Sequence, residues 1–236
     1  MLSNIISCIL TGLEGEIIDV ETDISNGLPF FTIVGLPDTA VRESKERIRA
    51  ALKNSGFDFP IKRITINLSP ANTKKEGTHL DLLMAIGILS ASEQIKQNNL
   101  QQYAFIGELS LNGKLNKIIG ALPIVISLRE KGYKKIIIPK DNLNEICVIE
   151  DVEIYSFENL RDVVNSLKEK INIKPYMSEN NDSNSNNNTH NVDFNEVSNQ
   201  ESVKRAFQIA AAGAHNIILI GPPGAGKTML ARRFPI

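Results

Sequence analysis

The chain has 236 residues, a length that suits one large domain and a smaller piece, and 42% of it is hydrophobic against 22% charged, which excludes wholesale disorder. Its 26 basic and 27 acidic side chains give a formal net charge of −1, so a globally basic nucleic-acid coat and a polyacidic tail are both excluded, and any polyanion site must be local. Two cysteines, Cys8 and Cys147, are too few for a disulfide framework and suit a reducing compartment.

The amino terminus is apolar, but no basic residue precedes the stretch and no small-residue cleavage site follows it, so it reads as a first strand rather than a signal peptide. Glu16 to Ile24 alternates, with Ile18, Val20, Thr22 and Ile24 on one side. Ser25-Asn26-Gly27 is a turn, after which Phe30 to Val34 is expected to return as a second strand. A helix follows over about Thr39 to Ser55, with Asp38 as its N-cap, Val41, Ile48 and Leu52 as its apolar stripe, and Gly56 ending it.

Arg63 to Leu68 alternates again, and Leu80 to Ser92 is apolar nearly all round, as a buried helix would be. The longest apolar run, Leu82 to Leu89, falls well short of the roughly 20 residues of a bilayer span, so the chain is expected to be cytoplasmic, with no membrane partner. Ala104 to Leu111 and Lys114 to Ile118 flank Asn112-Gly113, a strong hairpin signal. Then come a helix near Leu122 to Lys131, the strand Lys135 to Ile138, a short helix from Asp141, the strand Glu153 to Phe157, and a helix over Leu160 to Lys170. The sum is an α/β domain over residues 1–173. Residues 174–192 form an Asn- and Ser-rich stretch with too little apolar surface to offset its chain entropy, and read as a flexible linker. A second unit occupies residues 193–236.

In that unit Asn216 to Ile220 is a short apolar strand, and Gly221-Pro222-Pro223-Gly224-Ala225-Gly226-Lys227-Thr228 follows at once, the G-x-x-x-x-G-K-[ST] pattern. Glycines there let successive backbone N–H groups converge on phosphate oxygens. Lys227 is expected to reach the β and γ phosphates of ATP, and Thr228 to ligate Mg²⁺. A working P-loop ATPase also needs an acidic Mg²⁺ partner and a water-orienting group; Met229 to Ile236 holds neither, so the chain reads as the front of a larger protein, with no turnover expected from it alone.

Charge is uneven in the first third. Residues 1–41 carry six acidic side chains and no Lys or Arg, whereas residues 42–75 carry nine basic ones against three acidic. Arg42, Lys45, Arg47, Arg49 and Lys53 on the first helix are therefore candidate contacts for nucleic-acid phosphate, with a plain solvated face as the alternative.

The segment DFNEVSNQESVKRAFQIAAAGAHNIILIGPPGAGKTMLARRFP resembles the opening of the ATPase module of the magnesium-chelatase-like AAA+ family typified by YifB and ComM, and GLPDTAVRESKERIRAALKNSGFDFPIKRITINLSPANTKKEGTHLDLLMAIGILSA resembles that family's amino-terminal domain. The resemblance implies a Lon-protease-like, ribosomal-protein-S5-type α/β domain, then a P-loop AAA+ module that is incomplete here. It further implies a homo-hexameric, ATP-driven motor acting on DNA in branch migration. Where the family usually has Gly, this chain has Asn199. In active Lon-type peptidases a serine follows K-D-G-P and a lysine on a later helix activates it. The similar stretch here is Lys75-Glu76-Gly77-Thr78-His79, with His79 in the serine position and Leu122, or Pro123 in a slipped register, in the lysine position; no peptidase activity is expected. Two other readings stand beside the motor: an interaction or oligomerisation module derived from a degenerate peptidase, and a magnesium-chelatase role, for which the sequence offers no ligand cluster.

Overall fold

The computed structural model describes residues 2–12, 14–96, 100–168, 174–176, 194, 197–213 and 215–233. The chain divides into two compact units, Met1–Asn180 and Asn181–Ile236. In the first, β1 (Leu2–Thr11), β2 (Glu14–Ser25), β3 (Phe30–Val34), α1 (Thr39–Asn54), β4 (Arg63–Ser69), α2 (Asp81–Ala91) and β5 (Tyr103–Phe105) lead to a small ribbon of β6 (Glu108–Leu109) and β7 (Leu115–Asn116). Then come α3 (Ala121–Glu130), β8 (Lys135–Pro139), α4 (Leu143–Ile146), β9 (Glu153–Phe157) and α5 (Leu160–Leu167). The second unit contains α6 (Glu201–Ala212) and α7 (Lys227–Ala231).

Seven strands form one mixed sheet in the order β3-β4-β2-β1-β5-β8-β9. The alternation read in β2 and β4 holds: Ile18, Val20, Thr22, Ile64, Ile66 and Leu68 are all fully buried. The expected return of β3 against β2 does not occur. β3 pairs in parallel with β4, and β4 lies antiparallel between it and β2. A parallel pair needs a crossover, and α1 supplies it, so β3-α1-β4 is a βαβ unit rather than half of a hairpin.

Asp38 caps α1 through an Oδ1 that accepts from Val41 N at 2.7 Å. α1 and α5 pack with the all-buried α2 into one core, while α3 and α4 cover a second core built on Cys8, Ala104, Ile136, Ile138 and Ile154. This is the α/β architecture expected. Two local readings change. The segment expected to run as one strand from Ala104 to Leu111 breaks at Gly107, whose N–H bonds to His79 O and whose carbonyl accepts from Leu82 N, so the Asn112-Gly113 hairpin keeps only two residues a side. Tyr176, read as linker, exchanges backbone hydrogen bonds with Ile154 on β9, with N to O at 2.7 Å in one direction. Residues 177–192 of the expected linker, and the domain end near Ile173, lie outside the described residues.

Candidate functional site

In the second unit α6, α7 and the segment before the glycine-rich loop share a small core, with Val197, Phe207 and Leu230 buried and Ile217 and Leu219 packed against them. The alternate residues Ile218 and Ile220 are 80% and 89% exposed, so residues 216–220 keep a period-two pattern. They do not form the strand expected of them, because a strand exists through its ladder and none is made among the described residues. The loop then turns through Gly224 and Gly226, at φ +80° and +76°, into α7. These left-handed positions are open to glycine and costly for side-chain residues. Lys227 sends its ammonium back across the loop, donating to Gly221 O at 2.7 Å and Pro222 O at 2.6 Å. The run from Gly221 through Pro222, Pro223, Gly224 and Ala225 is exposed, as is Thr228, whose hydroxyl stands in the first turn of α7. Donor N–H groups, one ammonium and one hydroxyl at an open loop are the chemistry that a Mg²⁺–triphosphate requires.

In the first unit the five basic candidates of α1 separate. Arg42, Arg49 and Lys53 are exposed and Lys45 is half-buried. Arg47 leaves the set of phosphate contacts: its side chain is 22% exposed and is held on Asp81, which is 1% exposed, with Nε to Oδ2 at 2.8 Å. Lys75, counted in the same basic stretch, is fully buried, its ammonium donating to Pro70 O and to Thr73 O. Burial lowers its pKa, partly offset by the charge of Glu16.

The Thr78 hydroxyl donates to Glu108 Oε2, and Asn116 Nδ2 donates to the other oxygen of that carboxylate at 3.0 Å. His79 Nε2 is buried without a hydrogen-bond partner, and burial lowers the pKa of the ring. Leu122 is half-buried and packs into the second core, and Pro123 has no proton acceptor. Cys8 is no substitute, since burial pushes its thiol up to about 11. No group of three or more His, Cys, Asp or Glu able to hold a metal occurs among the described residues. Among those residues no helix is long and apolar enough to cross a membrane.

Comparison with known proteins agrees with both ends of the chain. A family described as subunit ChlI of Mg-chelatase matches residues 20–142, more than half of the sequence, and magnesium chelatase, subunit ChlI, matches residues 193–236. The chain belongs to the YifB/ComM family of ChlI-like proteins. It is 42% identical to competence protein ComM of Haemophilus influenzae over 94% of its own length and 44% of that protein, and 43% identical to YifB of Escherichia coli K12 over 94% and 43%. It therefore spans about half the length of the curated relatives it matches. A 33% identity with Lon protease 2 of Bacillus subtilis, over 52% of this chain and 22% of that one, agrees with a Lon-like first unit.

Within this family the position of Asn199 acquires a physical meaning. Its φ is +59°, followed by Gln200 at +61° just before α6. Glycine suits that conformation best, and Asn is among the side chains that tolerate it. The Asp81, Glu108 and Asn116 partners escaped sequence reading, because each is defined by a contact with a residue remote in the chain. The one available signal was a lone carboxylate opening an otherwise apolar helix at Asp81.

Proposed function

We propose that this chain is the amino-terminal part of an ATP-driven DNA-remodelling motor of the YifB/ComM type, a cytoplasmic homo-hexamer in its full-length form. The phosphate loop carries the reading: its sequence pattern, its two left-handed glycines and the placement of Lys227 all suit a nucleoside triphosphate. Residues 221–226 would wrap the phosphates with backbone N–H groups, Lys227 would swing from the loop carbonyls to the β and γ oxygens, and Thr228 would hold Mg²⁺. Bound Mg²⁺ would neutralise phosphate charge. That the Haemophilus influenzae relative is a competence protein supports DNA as the partner. The test is titration of the chain with a fluorescent ATP analogue and Mg²⁺. Saturable binding that falls at least about tenfold in Lys227→Ala is expected, and equal affinity in both proteins would overturn the nucleotide assignment.

A second reading, self-association of the first unit, is favoured by one observation. The sheet ends at β3, an edge strand with Phe30 59% and Val34 43% exposed, next to Leu28 at 87% and Ile61 at 83%. Exposed apolar edges of this kind pair with other chains. Light scattering of the chain without nucleotide or DNA tests it: a monomer at every concentration rejects this reading.

A further inference from the structure

The two edges of the seven-stranded sheet differ. At β9, Tyr176 takes both outward backbone bonds of Ile154, so part of that edge is covered. At the other end β3 has β4 on one side and no strand on the other among the described residues. Phe30 N donates to Lys62 O, so Phe30, Thr32 and Val34 turn their backbone groups towards β4, and by the alternation of a strand Phe31 and Ile33 turn theirs outward. Open edges in folded chains are ordinarily guarded by a charge or a proline within the strand. Leu28 to Leu36 holds no charged residue, and its proline, Pro29, precedes β3.

The exposed apolar side chains of this stretch are spaced symmetrically about Thr32. Phe30 and Val34 lie two residues to either side of it, and Leu28 and Leu36 lie four. Two copies of β3 running antiparallel about a twofold axis at Thr32 set Phe30 of each against Val34 of the other, a favourable cross-strand pair of an aromatic with a β-branched side chain. In the same register Phe31 of each copy meets Ile33 of the other, and these are the residues whose N–H and C=O groups point outward, as an antiparallel ladder requires. Lys62 and Arg63 stand at the Phe30 end of the strand, so the antiparallel order holds these cations of the two copies apart, whereas a parallel order brings them together.

We infer that β3 is a self-pairing edge whose occupant is β3 of a second copy of this chain, antiparallel and centred on Thr32. The inference rests on the reading of the first unit as self-associating and names the strand and register involved. The strand pair and its flanking side chains cover on the order of 500 Å² on each copy, less than the roughly 800 Å² a side of a standard interface, so the dimer is held in the micromolar range. Such a contact closes at two copies and leaves head-to-tail ring contacts to other surfaces.

The test uses the whole chain in a Cys147→Ser background, where the remaining Cys8 is buried. Sedimentation equilibrium between about 1 and 200 μM is expected to show monomer and dimer in exchange, with Phe30→Lys weakening the dimer at least about tenfold. Directly opposed residues of a non-hydrogen-bonded pair have Cα atoms about 4.5 Å apart, within disulfide reach. Thr32→Cys is therefore expected to form a covalent dimer under copper phenanthroline, while Val34→Cys, set against Phe30 of the other copy, does not. Circular-dichroism melts confirm the fold of each variant. A dimer unmoved by Phe30→Lys, or equal cross-linking of the two cysteine variants, overturns the inference and leaves self-association to another surface. A monomer at every concentration overturns the inference together with that reading, and leaves the open edge to a partner of another kind.

Discussion

The guanidinium of Arg47 grips the carboxylate of Asp81 with two hydrogen bonds, Nε to Oδ2 at 2.8 Å and Nη2 to Oδ1 at 3.1 Å, and thereby joins α1 to the start of α2. The same Nη2 reaches Ala40 O, and Leu109 N donates to Asp81 Oδ2 at 3.3 Å, so the pair also fixes β6. Removing the cation leaves a buried charge uncompensated. Arg47→Ala is therefore expected to cost about 3–5 kcal/mol at neutral pH by denaturant unfolding, far more than Arg42→Ala on the exposed face, which should stay within about 0.5 kcal/mol.

Burial pushes the Asp81 carboxyl up to about 6, against the hydrogen bonds and charge of Arg47 and with help from Glu108. The folded pKa lies above the ordinary 3.8, so the folded state holds this proton more tightly than the unfolded chain. Its stabilising effect is complete below about pH 4 and is lost as pH rises through about 6. Relative to Asp81→Asn, the unmodified chain should lose on the order of 3 kcal/mol between about pH 4 and pH 7. Parallel unfolding curves for the two proteins across that window would show the reading to be wrong.

Thr22 buries its hydroxyl between β2 and α2 with no partner, and a Cβ on Gly87 would stand 2.5 Å from that oxygen. Close approach of helix to sheet is the reason for glycine in the middle of α2. Gly87→Ala should cost about 1–3 kcal/mol through overpacking. Thr22→Val, which removes an unsatisfied donor at similar volume, should stabilise by about 1 kcal/mol. Thermal melts of these variants and of Gly87→Ala/Thr22→Ala check the contact, since the double variant should recover part of the single loss.

Asn199 stands in a left-handed conformation ahead of α6. Asn199→Gly should leave this entry unchanged or slightly firmer, while Asn199→Ala should weaken it by about 1–2 kcal/mol. Hydrogen exchange of the α6 amides reports on the second unit without interference from the first. Equal protection in both variants would show that the turn does not hold the helix.

Much of the fold is set by near neighbours and was therefore legible. Alternation at Ile18, Val20, Thr22 and Ile24 gave a half-buried strand, Asp38 gave a helix start, and Asn112-Gly113 a turn. Each depends on backbone preference and local period, which a linear string carries. The tertiary structure decided what remote segments do to one another. It placed β4 between β2 and β3, and took Arg47 and Lys75 out of a row of basic residues. A side chain's charge is written in the sequence, but whether water or a buried carboxylate receives it depends on desolvation and pairing, and those exist only once the chain has closed on itself.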